Sequence, residues 1–531
     1  MLEFPLHFSR VLYSIPQFLV LDRRIKCAGL PSPLCNLAMQ GAFDMAMADQ
    51  RVKIGPCSGQ MQASFMLIHS LPCVTQFVDS LNRSLKACKD SAALSAGQRV
   101  WLSTVLIGIV VTGTLNWAGF ERRSLKAFKQ SRLRWMFYSA KIAWPLLLQA
   151  SIGYVLKHYA ISRATLVIDD TDKQRSKKTT KIAGAHKVKD KKTGGYFNGQ
   201  ELLFMVLVSD LVTFPVAFRW YVPDPALSAW HKENRRLKGL GVAASQRPAR
   251  PAPDPNYPTK QALALDMVRE FTECFPAVTI NAVLADALYG SGEFMDQASA
   301  ATANAQVVSQ LRGNQLVLSR GRKVALSTYF SRQTGIETQL IVRGGEKKSV
   351  TMLAARLQVK AHGKRRFVVA LKYQGETDYR FLVASELSWR HQDIARLYTL
   401  RWLVEVFIQD WKCHAGWNRL TKHQGLEGST RGVILSLLCD HLLLLHPAQS
   451  ARLKNKQPGI SAGCLIESLK AEALLVTIED IVDAEKPEVA LDAFTDALRD
   501  TLQERPSSKH MAGLDLGQLE PTPSLSYREA A

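Results

Sequence analysis

The chain has 531 residues, of which 47% are apolar and 21% charged, so it can bury the cores of more than one domain. This composition excludes wholesale disorder, a collagenous chain and a disulfide-stapled miniprotein. The 68 Lys and Arg side chains outnumber the 46 Asp and Glu side chains, and the net charge of +22 favours a polyanionic partner. Residues 451 to 531 hold 9 basic and 14 acidic side chains and sum to −5, so the positive charge lies before them.

The predicted elements begin with helices, because residues 60 to 160 show long apolar-periodic stretches. Residues 121 to 141 hold seven Lys or Arg against one acid, with Trp135 and Phe137 interleaved, and could read DNA. Residues 1 to 45 look like an upstream extension, so the sequence leaves open whether Met1 is the start.

Residues 100 to 120 form an uncharged run long enough to span a bilayer. The run nevertheless holds five hydroxyl or amide side chains and three glycines, and the sequence contains no second such run. We interpret it as a buried helix, with a membrane span as the alternative.

From Ala164 the pattern changes to short β-branched runs, which predict three strands and, after a long connection, a fourth. The predicted strands are residues 164 to 168, 202 to 209, 214 to 222 and 281 to 285. The connection at 223 to 258 holds seven prolines and is predicted to be an irregular loop. Thr259 is the predicted N-cap of a helix that runs to Phe275.

Residues 306 to 385 alternate apolar and polar side chains between turn signals, which predicts an antiparallel β-rich insertion. Its last strand is predicted at 380 to 385, and the pattern then reverts to helix, most clearly from Asp393 to Ala415. Residues 460 to 503 predict two acidic amphipathic helices, and the chain from Pro506 onward is predicted to be disordered.

Aspartates directly follow two of the predicted strands. Asp169 and Asp170 follow the first strand in LVIDDTD, and Asp286 follows the fourth in VLADALYG. A carboxylate at the end of a buried strand is costly unless a cation meets it, so two such sites favour a shared metal ion. The alternative is that each strand simply turns to solvent at an aspartate.

The helix predicted at 393 to 415 supplies a third carboxylate. Tyr398, Arg401, Glu405 and Lys412 lie at offsets 0, 3, 7 and 14, which at 100° per residue places them within about a 60° sector. Four apolar residues on the adjoining sector should face the core: Leu397, Val404, Ile408 and Trp411. Glu405 would then project from the rim of the packed face. The alternative is an Arg401–Glu405 ion pair at i, i+4 on a solvated face.

The string YTLRWLVEVFIQDWK at 398 to 412 fits Y-x2-R-x3-E-x6-K in full. It resembles the signature of the DDE transposases of insertion-sequence family four, a cut-and-paste subgroup. VIDDT and LADALYG resemble that family's first and second aspartate motifs, and FLVASELSWRHQDIARL resembles its approach to the signature. The resemblance covers roughly residues 60 to 450 in order and spacing.

The resemblance implies an α/β catalytic core of RNase H-like type, with a β-rich insertion and flanking helical N- and C-terminal domains. The predicted parts are an extension at 1–45, a helical DNA-end-binding domain at 46–160, a catalytic domain at 161–300 and 380–450, an insertion at 301–379, a helical region at 451–505 and a disordered tail at 506–531. The helical region at 451–505 is the candidate for dimerisation, because family members use a helical C-terminus for pairing.

By resemblance, the catalytic, metal-binding triad is Asp169 or Asp170, then Asp286, then Glu405, and the family pattern D-x-T favours Asp169. The implied cofactor is two Mg²⁺ ions, for which Mn²⁺ can substitute, and hard oxygen ligands suit these ions. Two such ions about 4 Å apart activate the attacking water or 3′-hydroxyl and stabilise the leaving alkoxide. The sequence shows no His or Cys spacing typical of zinc, and its nine cysteines include no C-x-x-C pair, which favours free thiols in a reducing cytoplasm.

Basic side chains near the triad are the predicted contacts to DNA. By resemblance, Tyr398, Arg401 and Lys412 hold the terminal phosphates at the transposon end. Residues 173 to 192 hold nine Lys or Arg against one acid directly after the first aspartates and predict a phosphate track. Its candidate contacts are Lys173, Arg175, Lys177, Lys178 and Lys181. The family's base-stacking Trp has no counterpart between 301 and 385, which leaves Tyr329 or Phe330 for that role.

These inferences predict a bacterial, cytoplasmic DNA transposase that is nucleoid-associated when bound to DNA. It would bind terminal inverted repeats as a homodimer, cleave at the transposon ends and insert the element into target double-stranded DNA, with no membrane partner. A transposase-derived, catalytically inactive DNA-binding protein is the second hypothesis, and a membrane-attached basic protein is the third.

Overall fold

A computed structural model describes residues 71–124, 127–176, 182–190, 193–342, 345–414 and 425–502. The predicted extension at 1–45, the tail at 506–531 and the candidate DNA contacts Lys177, Lys178 and Lys181 lie outside the described residues.

Within the described residues, five helices precede the first strand. They are α1 (Pro72–Cys88), α2 (Ala96–Thr112), α3 (Trp117–Arg123), α4 (Gln130–Ser139) and α5 (Trp144–His158). Helix α2 begins with a capping box in which Ser95 and Gln98 satisfy each other's backbone N–H groups, and it ends at Gly113, whose φ of 62° is left-handed. Every residue from Trp101 to Val110 is buried. The uncharged run at 100 to 120 thus contains a helix enclosed by protein.

None of the described helices is by itself long and apolar enough to cross a membrane. Two bent pairs of helices meet the length and composition requirement together, namely Ala96–Thr112 with Trp117–Arg123 and Gly425–Leu444 with Pro447–Lys454.

Five strands form a mixed sheet in the order β4-β3-β1-β5-β6, with β1 in the middle. Their bounds are β1 (Arg163–Gln174), β3 (Tyr196–Val208), β4 (Thr213–Tyr221), β5 (Thr279–Ala285) and β6 (Gln306–Leu311), and a short strand β2 (His186–Lys189) pairs with the start of β3. Strands β1, β3 and β4 are antiparallel, whereas β5 is parallel to β1 and β6 is parallel to β5. Near-continuous apolar runs suit these strands because both faces of the sheet are covered.

The segment at 223–258, predicted to be an irregular loop, contains a helix, α6 (Pro225–Gly239). The prediction was wrong here because the first prolines do not oppose helix formation. Pro225 occupies the first turn, where its missing N–H is not needed, and the Asp224 side chain accepts hydrogen bonds from the N–H groups of Ala226 and Leu227. The helix after the loop, α7 (Lys260–Cys274), is capped by Thr259 as predicted.

Six further strands continue the sheet beyond β6. They are β7 (Leu316–Ser319), β8 (Arg322–Ala325), β9 (Ile336–Ile341), β10 (Lys347–Val359), β11 (Lys364–Tyr373) and β12 (Arg380–Ala384), with helix α8 (Gly292–Ala301) before β6 and α9 (Leu326–Ser331) after β8. Strand β12 joins the two parts, because it is antiparallel to β6 on one side and to β11 on the other. The alternating pattern of residues 306 to 385 predicts that β6 belongs to the antiparallel insertion. This prediction is wrong, because β6 pairs in parallel with β5 and so belongs with the strands that carry the aspartates.

The helix predicted from Asp393 to Ala415 is interrupted. Helix α10 (His391–Tyr398) passes through a 3₁₀ turn at Thr399–Arg401 into α11 (Trp402–His414), and Ala415 lies outside the described residues. The tighter turn changes the rotation per residue, so the four signature residues do not share one continuous α-helical face.

Among the described residues after α11, residues 425–502 form four more helices. They are α12 (Gly425–Leu444), α13 (Pro447–Lys454), α14 (Ala462–Val482) and α15 (Pro487–Leu502). Helix α12 packs against α5 and α2, and α14 packs against α2 and α11. The C-terminal helices therefore connect the N-terminal helices to the helix that carries Glu405.

Candidate active site

Asp169 and Asp286 lie at the same edge of the sheet because of strand register. Ile168 of β1 pairs with Ala285 of β5 in parallel, so each aspartate directly follows a paired residue. The prediction that the first strand ends before Asp169 is wrong, because β1 continues to Gln174 through its pairing with β3, whereas β5 ends at Ala285. The parallel pairing still brings together two residues that are 117 positions apart in sequence.

The backbone around Asp286 is held by local hydrogen bonds. Its side chain accepts from the N–H of Leu288 at 2.9 Å, at the start of a 3₁₀ turn, and its carbonyl accepts from the Ser309 hydroxyl of β6 at 2.6 Å. The aspartate therefore terminates β5 as a helix-type cap.

Arg401 connects the first strand to the signature helix. Its guanidinium donates to Asp169 at 3.2 Å and also to Glu405. The i, i+4 Arg401–Glu405 ion pair, which is the alternative interpretation of the signature, is thus present, and Asp169 is a third partner. The Arg401 side chain is 18% exposed and that of Glu405 is 35% exposed. The ion pair assembles two of the three carboxylates around one cation.

Helix α11 is held on the sheet by aromatic packing. Phe204 of β3, which pairs with Asp169 across the strands, contacts the rings of Phe407 and Trp411 at centroid distances of 5.3 and 4.7 Å. The same sheet face therefore carries Asp169 and the residues that seat α11. This packing seats the helix that carries Glu405, two residues before Phe407, on the sheet face of Asp169.

Tyr398 is buried, and its hydroxyl donates to the Ala285 carbonyl at 3.2 Å. Burial raises the pKa of Tyr398, and the carboxylates Asp286, Asp169 and Glu405 raise it further against the opposing effect of Arg401. All three carboxylates thus act on one phenol. The hydroxyl expected to hold a DNA phosphate is instead bonded to the residue before Asp286, where it positions the end of β5.

The charge of Asp169 is incompletely neutralised. Burial raises the pKa of Asp169 to about 6, and Asp170 and Asp286 add to this, while the backbone N–H of Asp170 and the Arg401 guanidinium oppose it. Burial is the largest cause of this raised pKa, so the ionised Asp169 carboxylate is poorly solvated, and a bound cation would stabilise its charged form.

The donors of the site suit a hard divalent ion, since Asp169, Asp286 and Glu405 offer only carboxylate oxygens. In the described part of the chain these three carboxylates are not all within 4.8 Å of one another, and Arg401 bonds to two of them. The chemistry of the residues fits Mg²⁺ or Mn²⁺.

Asp170 points to the opposite face of β1 from Asp169, as strand alternation requires. It accepts from Lys260, the first residue of α7, whose ammonium also donates to Glu201 at 2.7 Å and lies 5.0 Å from the centre of the Tyr221 ring. Burial would raise the pKa of Glu201, but hydrogen bonds from His186 and Lys260 outweigh it and lower that pKa. Asp170 is therefore already paired. Local sequence patterns do not predict the bonds of Lys260 to Asp170 and Glu201, because Lys260 is 90 residues from Asp170.

The predicted basic contacts have different surroundings. Arg175 is buried and donates to Gln200 at 2.9 Å, and burial lowers its pKa to about 10. The prediction that Arg175 contacts DNA phosphates at the surface is therefore wrong. Its side chain is buried against β3, although it belongs to a basic run of the sequence. Lys173 and Lys412 are half-buried, and burial lowers the pKa of Lys412 although Asp172 opposes it. Lys412 is thus a desolvated cation on the helix of Glu405.

A cavity of about 630 Å³ lies between the signature helices and the insertion and is lined by Tyr398 and Arg401, but by none of the three carboxylates. Arg401, Trp402, Tyr373 and Arg380 are among its lining residues, and Trp402 is 50% exposed. The expected stacking candidate Phe330 is fully buried and stacks on Phe381, so it cannot receive a base. Exposed Trp402, inside the signature string, was missed because helical periodicity alone does not distinguish a solvent-facing tryptophan from a packed one.

Comparison with known proteins points to one family. A family model described as DDE superfamily endonuclease matches residues 91–372, which is more than half of the chain. The matched region contains Asp169 and Asp286 and ends before Glu405. A search of curated proteins found no match. The family implies an RNase H-like core, with which the mixed sheet around β1 and its helices is compatible. The chain therefore belongs to the DDE superfamily endonucleases, divalent-metal-dependent nucleases whose substrate is DNA.

Proposed function

We propose that this chain is a DNA transposase of the insertion-sequence family four type, which cleaves DNA at transposon ends and transfers the strands into target DNA. The proposal is supported by the arrangement of the carboxylates, because Asp169 and Asp286 directly follow paired residues of β1 and β5, and Arg401 bonds to both Asp169 and Glu405. These are the three carboxylates that the family resemblance assigns to catalysis. The match to Y-x2-R-x3-E-x6-K supports this subgroup.

Asp169, Asp286 and Glu405 would hold the divalent ions. When bound, two such ions activate an attacking water or 3′-hydroxyl and stabilise the leaving oxygen. Arg401 keeps Asp169 and Glu405 together before ions arrive, since two carboxylates and a guanidinium repel less than the carboxylates alone. Lys412 supplies a cation on the same helix for a DNA phosphate. Asp170, bonded to Lys260, supports the strand and is not proposed as a ligand.

The proposed partners are the terminal inverted repeats and target DNA, bound by a homodimer in the bacterial cytoplasm. The C-terminal helices support dimerisation, because α14 and α15 expose apolar side chains that a partner could cover. The exposed residues on these helices are Leu474, Leu475, Ile478, Val482, Val489 and Leu491. An apolar surface of this kind is typical of protein contacts.

The test replaces the carboxylates one at a time. Glu405→Ala and Asp286→Asn should leave binding to end DNA intact and lower the rate of strand cleavage by at least about a thousandfold, since each removes an ion ligand. Asp410→Asn is the matched control, because Asp410 is an exposed acid on the same helix. Binding is measured by gel shift and cleavage on labelled end DNA with Mg²⁺. A Glu405→Ala protein that cuts at the normal rate would exclude the proposed triad.

The alternative is a transposase-derived DNA-binding protein without activity. The ion pairs of Arg401 favour this alternative, because a guanidinium bonded to Asp169 and Glu405 occupies oxygens that would otherwise bind the ions. Mg²⁺-dependent nicking of end DNA by the wild-type protein separates the two. End binding without nicking in Mg²⁺ or Mn²⁺ would favour the inactive protein.

A further inference from the structure

A second cluster of metal-ligating side chains lies outside the candidate active site. Cys73, His446 and Glu472 each offer one ligand atom, and these atoms all lie within 4.8 Å of one another. Cys73 lies in the first turn of α1, His446 directly precedes α13, and Glu472 is in the middle of α14. Three elements that are distant in sequence therefore converge on one point. None of them carries a carboxylate of the proposed triad.

His446 provides an independent indication that this cluster takes a ligand. Its Nδ1 atom is buried and has no hydrogen-bond partner among the described residues. A buried imidazole nitrogen without a partner is uncommon, because desolvation is not repaid by a bond. The His446 imidazole is thus not fully engaged in hydrogen bonds, and a neutral imidazole can donate a ring-nitrogen lone pair to a cation between Cys73 and Glu472.

The distances need only a small adjustment to coordinate an ion. Tetrahedral zinc with sulfur at about 2.3 Å and nitrogen or oxygen at about 2.0–2.2 Å places its ligand atoms about 3.3–3.8 Å apart. The three ligand atoms all lie within 4.8 Å of one another, so side-chain rotation of no more than about 1.5 Å can bring them to that spacing. All three side chains are half-buried, so an ion can reach them from solvent.

The donor set selects the metal. One sulfur, one nitrogen and one oxygen are the borderline ligands that Zn²⁺ accepts, whereas Mg²⁺ requires oxygen and discriminates against thiolate. A thiolate and a carboxylate together balance the charge of a divalent ion. The geometry points to a Zn²⁺ site formed by Cys73, His446 and Glu472, with water as the fourth ligand, that fastens α1 to the C-terminal helices.

The predicted effect is on stability and metal content rather than on the chemistry of strand cleavage. Binding of zinc to the folded chain alone stabilises it, so added Zn²⁺ should raise the Tm. The full-length protein should retain about one Zn²⁺ per chain after dialysis, as three protein ligands provide for one ion. Cys73→Ser and His446→Gln should lose this zinc. Cys88→Ser is the matched control, because Cys88 is an exposed thiol on the same helix.

Cobalt substitution distinguishes this site from the acidic triad and from other sites. Co²⁺ bound at Cys73 should give a near-ultraviolet thiolate-to-metal charge-transfer band that Asp286→Asn and Cys88→Ser retain and Cys73→Ser loses. Glu472→Gln keeps the side-chain volume and should weaken zinc affinity by at least about tenfold, since even outer-sphere changes have effects of that size.

The results can overturn the site without affecting the proposed function. Equal zinc content and an unchanged cobalt band in Cys73→Ser would exclude it, whatever the cleavage activity. If Cys73→Ser does not fold, zinc affinity of Glu472→Gln equal to that of the wild type would exclude it instead. Loss of cleavage in Asp286→Asn with the cobalt band intact would support both conclusions separately.

Discussion

The carboxylate of Asp169 lies where β1 leaves the core, and its surroundings set its protonation. Burial and two neighbouring aspartates raise its pKa to about 6, above the value of about 3.9 expected for an unfolded chain. Between these two values the folded chain binds more protons than the unfolded chain. The contribution of this group to stability is therefore present at low pH and is lost as the pH rises through about 6.

Asp169→Asn should consequently stabilise the metal-free protein at neutral pH. The expected gain in the free energy of unfolding is on the order of 1–3 kcal/mol at pH 7, and it should shrink towards pH 4. Urea unfolding in the presence of a chelator at several pH values measures it. Asp266→Asn, at an exposed aspartate of α7, is the control and should show no such dependence. A variant less stable than the wild type at pH 7 would contradict the proposed balance of charges.

Removal of the Tyr398 hydroxyl tests whether this residue positions the end of β5 or contacts DNA. Tyr398→Phe leaves the Ala285 carbonyl without its partner, so the free energy of unfolding should fall by about 1 kcal/mol. Cleavage should slow several-fold because the end of β5 loosens, while the Kd for end DNA stays unchanged. Tyr196→Phe, at an exposed tyrosine, is the control. A clear loss of end-DNA affinity in Tyr398→Phe would restore the phosphate contact implied by resemblance.

The 3₁₀ turn after β5, which begins at Asp286, packs closely against β6. A Cβ at Gly290 would collide with the Gln310 carbonyl of β6, and the Gly290 carbonyl accepts from His362 of the insertion at 2.9 Å. The φ of Gly290 is −80°, so close approach rather than backbone conformation requires glycine here.

Gly290→Ala should therefore destabilise the protein by about 1–3 kcal/mol, as overpacking does, and should reduce cleavage by displacing Asp286. Gly239→Ala at the end of α6, where a Cβ meets nothing within 4 Å, is the matched control. Chemical unfolding and the cleavage assay together measure the effect. Equal stability of Gly290→Ala and the wild type would show that the turn can move.

The helix that carries the Y-x2-R-x3-E-x6-K string is interrupted in a way that helical periodicity does not predict. Periodicity predicted one helix from Asp393 to Ala415, yet the 3₁₀ turn at Thr399–Arg401 divides it. The division lets Tyr398 bond to β5 while Arg401 bonds to β1. These are contacts between elements, and no pattern within fifteen residues contains them.

At the scale of the molecule, the charge predicts strongly salt-dependent DNA binding. The net charge of +22 conceals an acidic end, since residues 451 to 531 sum to −5. If the protein makes 6–10 phosphate contacts, end-DNA affinity should fall by about 10³–10⁵ between 50 and 200 mM salt. Lys412→Met should weaken binding and reduce the salt slope by about one.

Lys454→Met is the control for that measurement, because Lys454 is an exposed lysine in the acidic C-terminal region. Its slope should equal that of the wild type. Fluorescence anisotropy with labelled end DNA at several salt concentrations gives the slopes. An equal slope for Lys412→Met and the wild type would remove Lys412 from the DNA contacts.

The sequence by itself determined the local features. Alternating and helical periodicity located β1, β3, β4, β5 and α7, and strand-end aspartates with the Y-x2-R-x3-E-x6-K string singled out the carboxylates. These features depend on neighbours in the chain, so local patterns suffice to identify them. The prediction of an irregular loop at 223–258 is wrong because a proline in the first turn is compatible with a helix.

Only the tertiary structure decided which of these residues meet. Pairing of β1 with β5 places Asp169 beside Asp286, alternation turns Asp170 towards Lys260, and packing draws Arg175 inside. The cluster of Cys73, His446 and Glu472 joins residues up to 399 positions apart and has no spacing that a sequence reader could recognise. Strand register and helix packing determine these contacts. Both depend on which apolar faces of the whole chain are buried together, so no short segment of sequence specifies them.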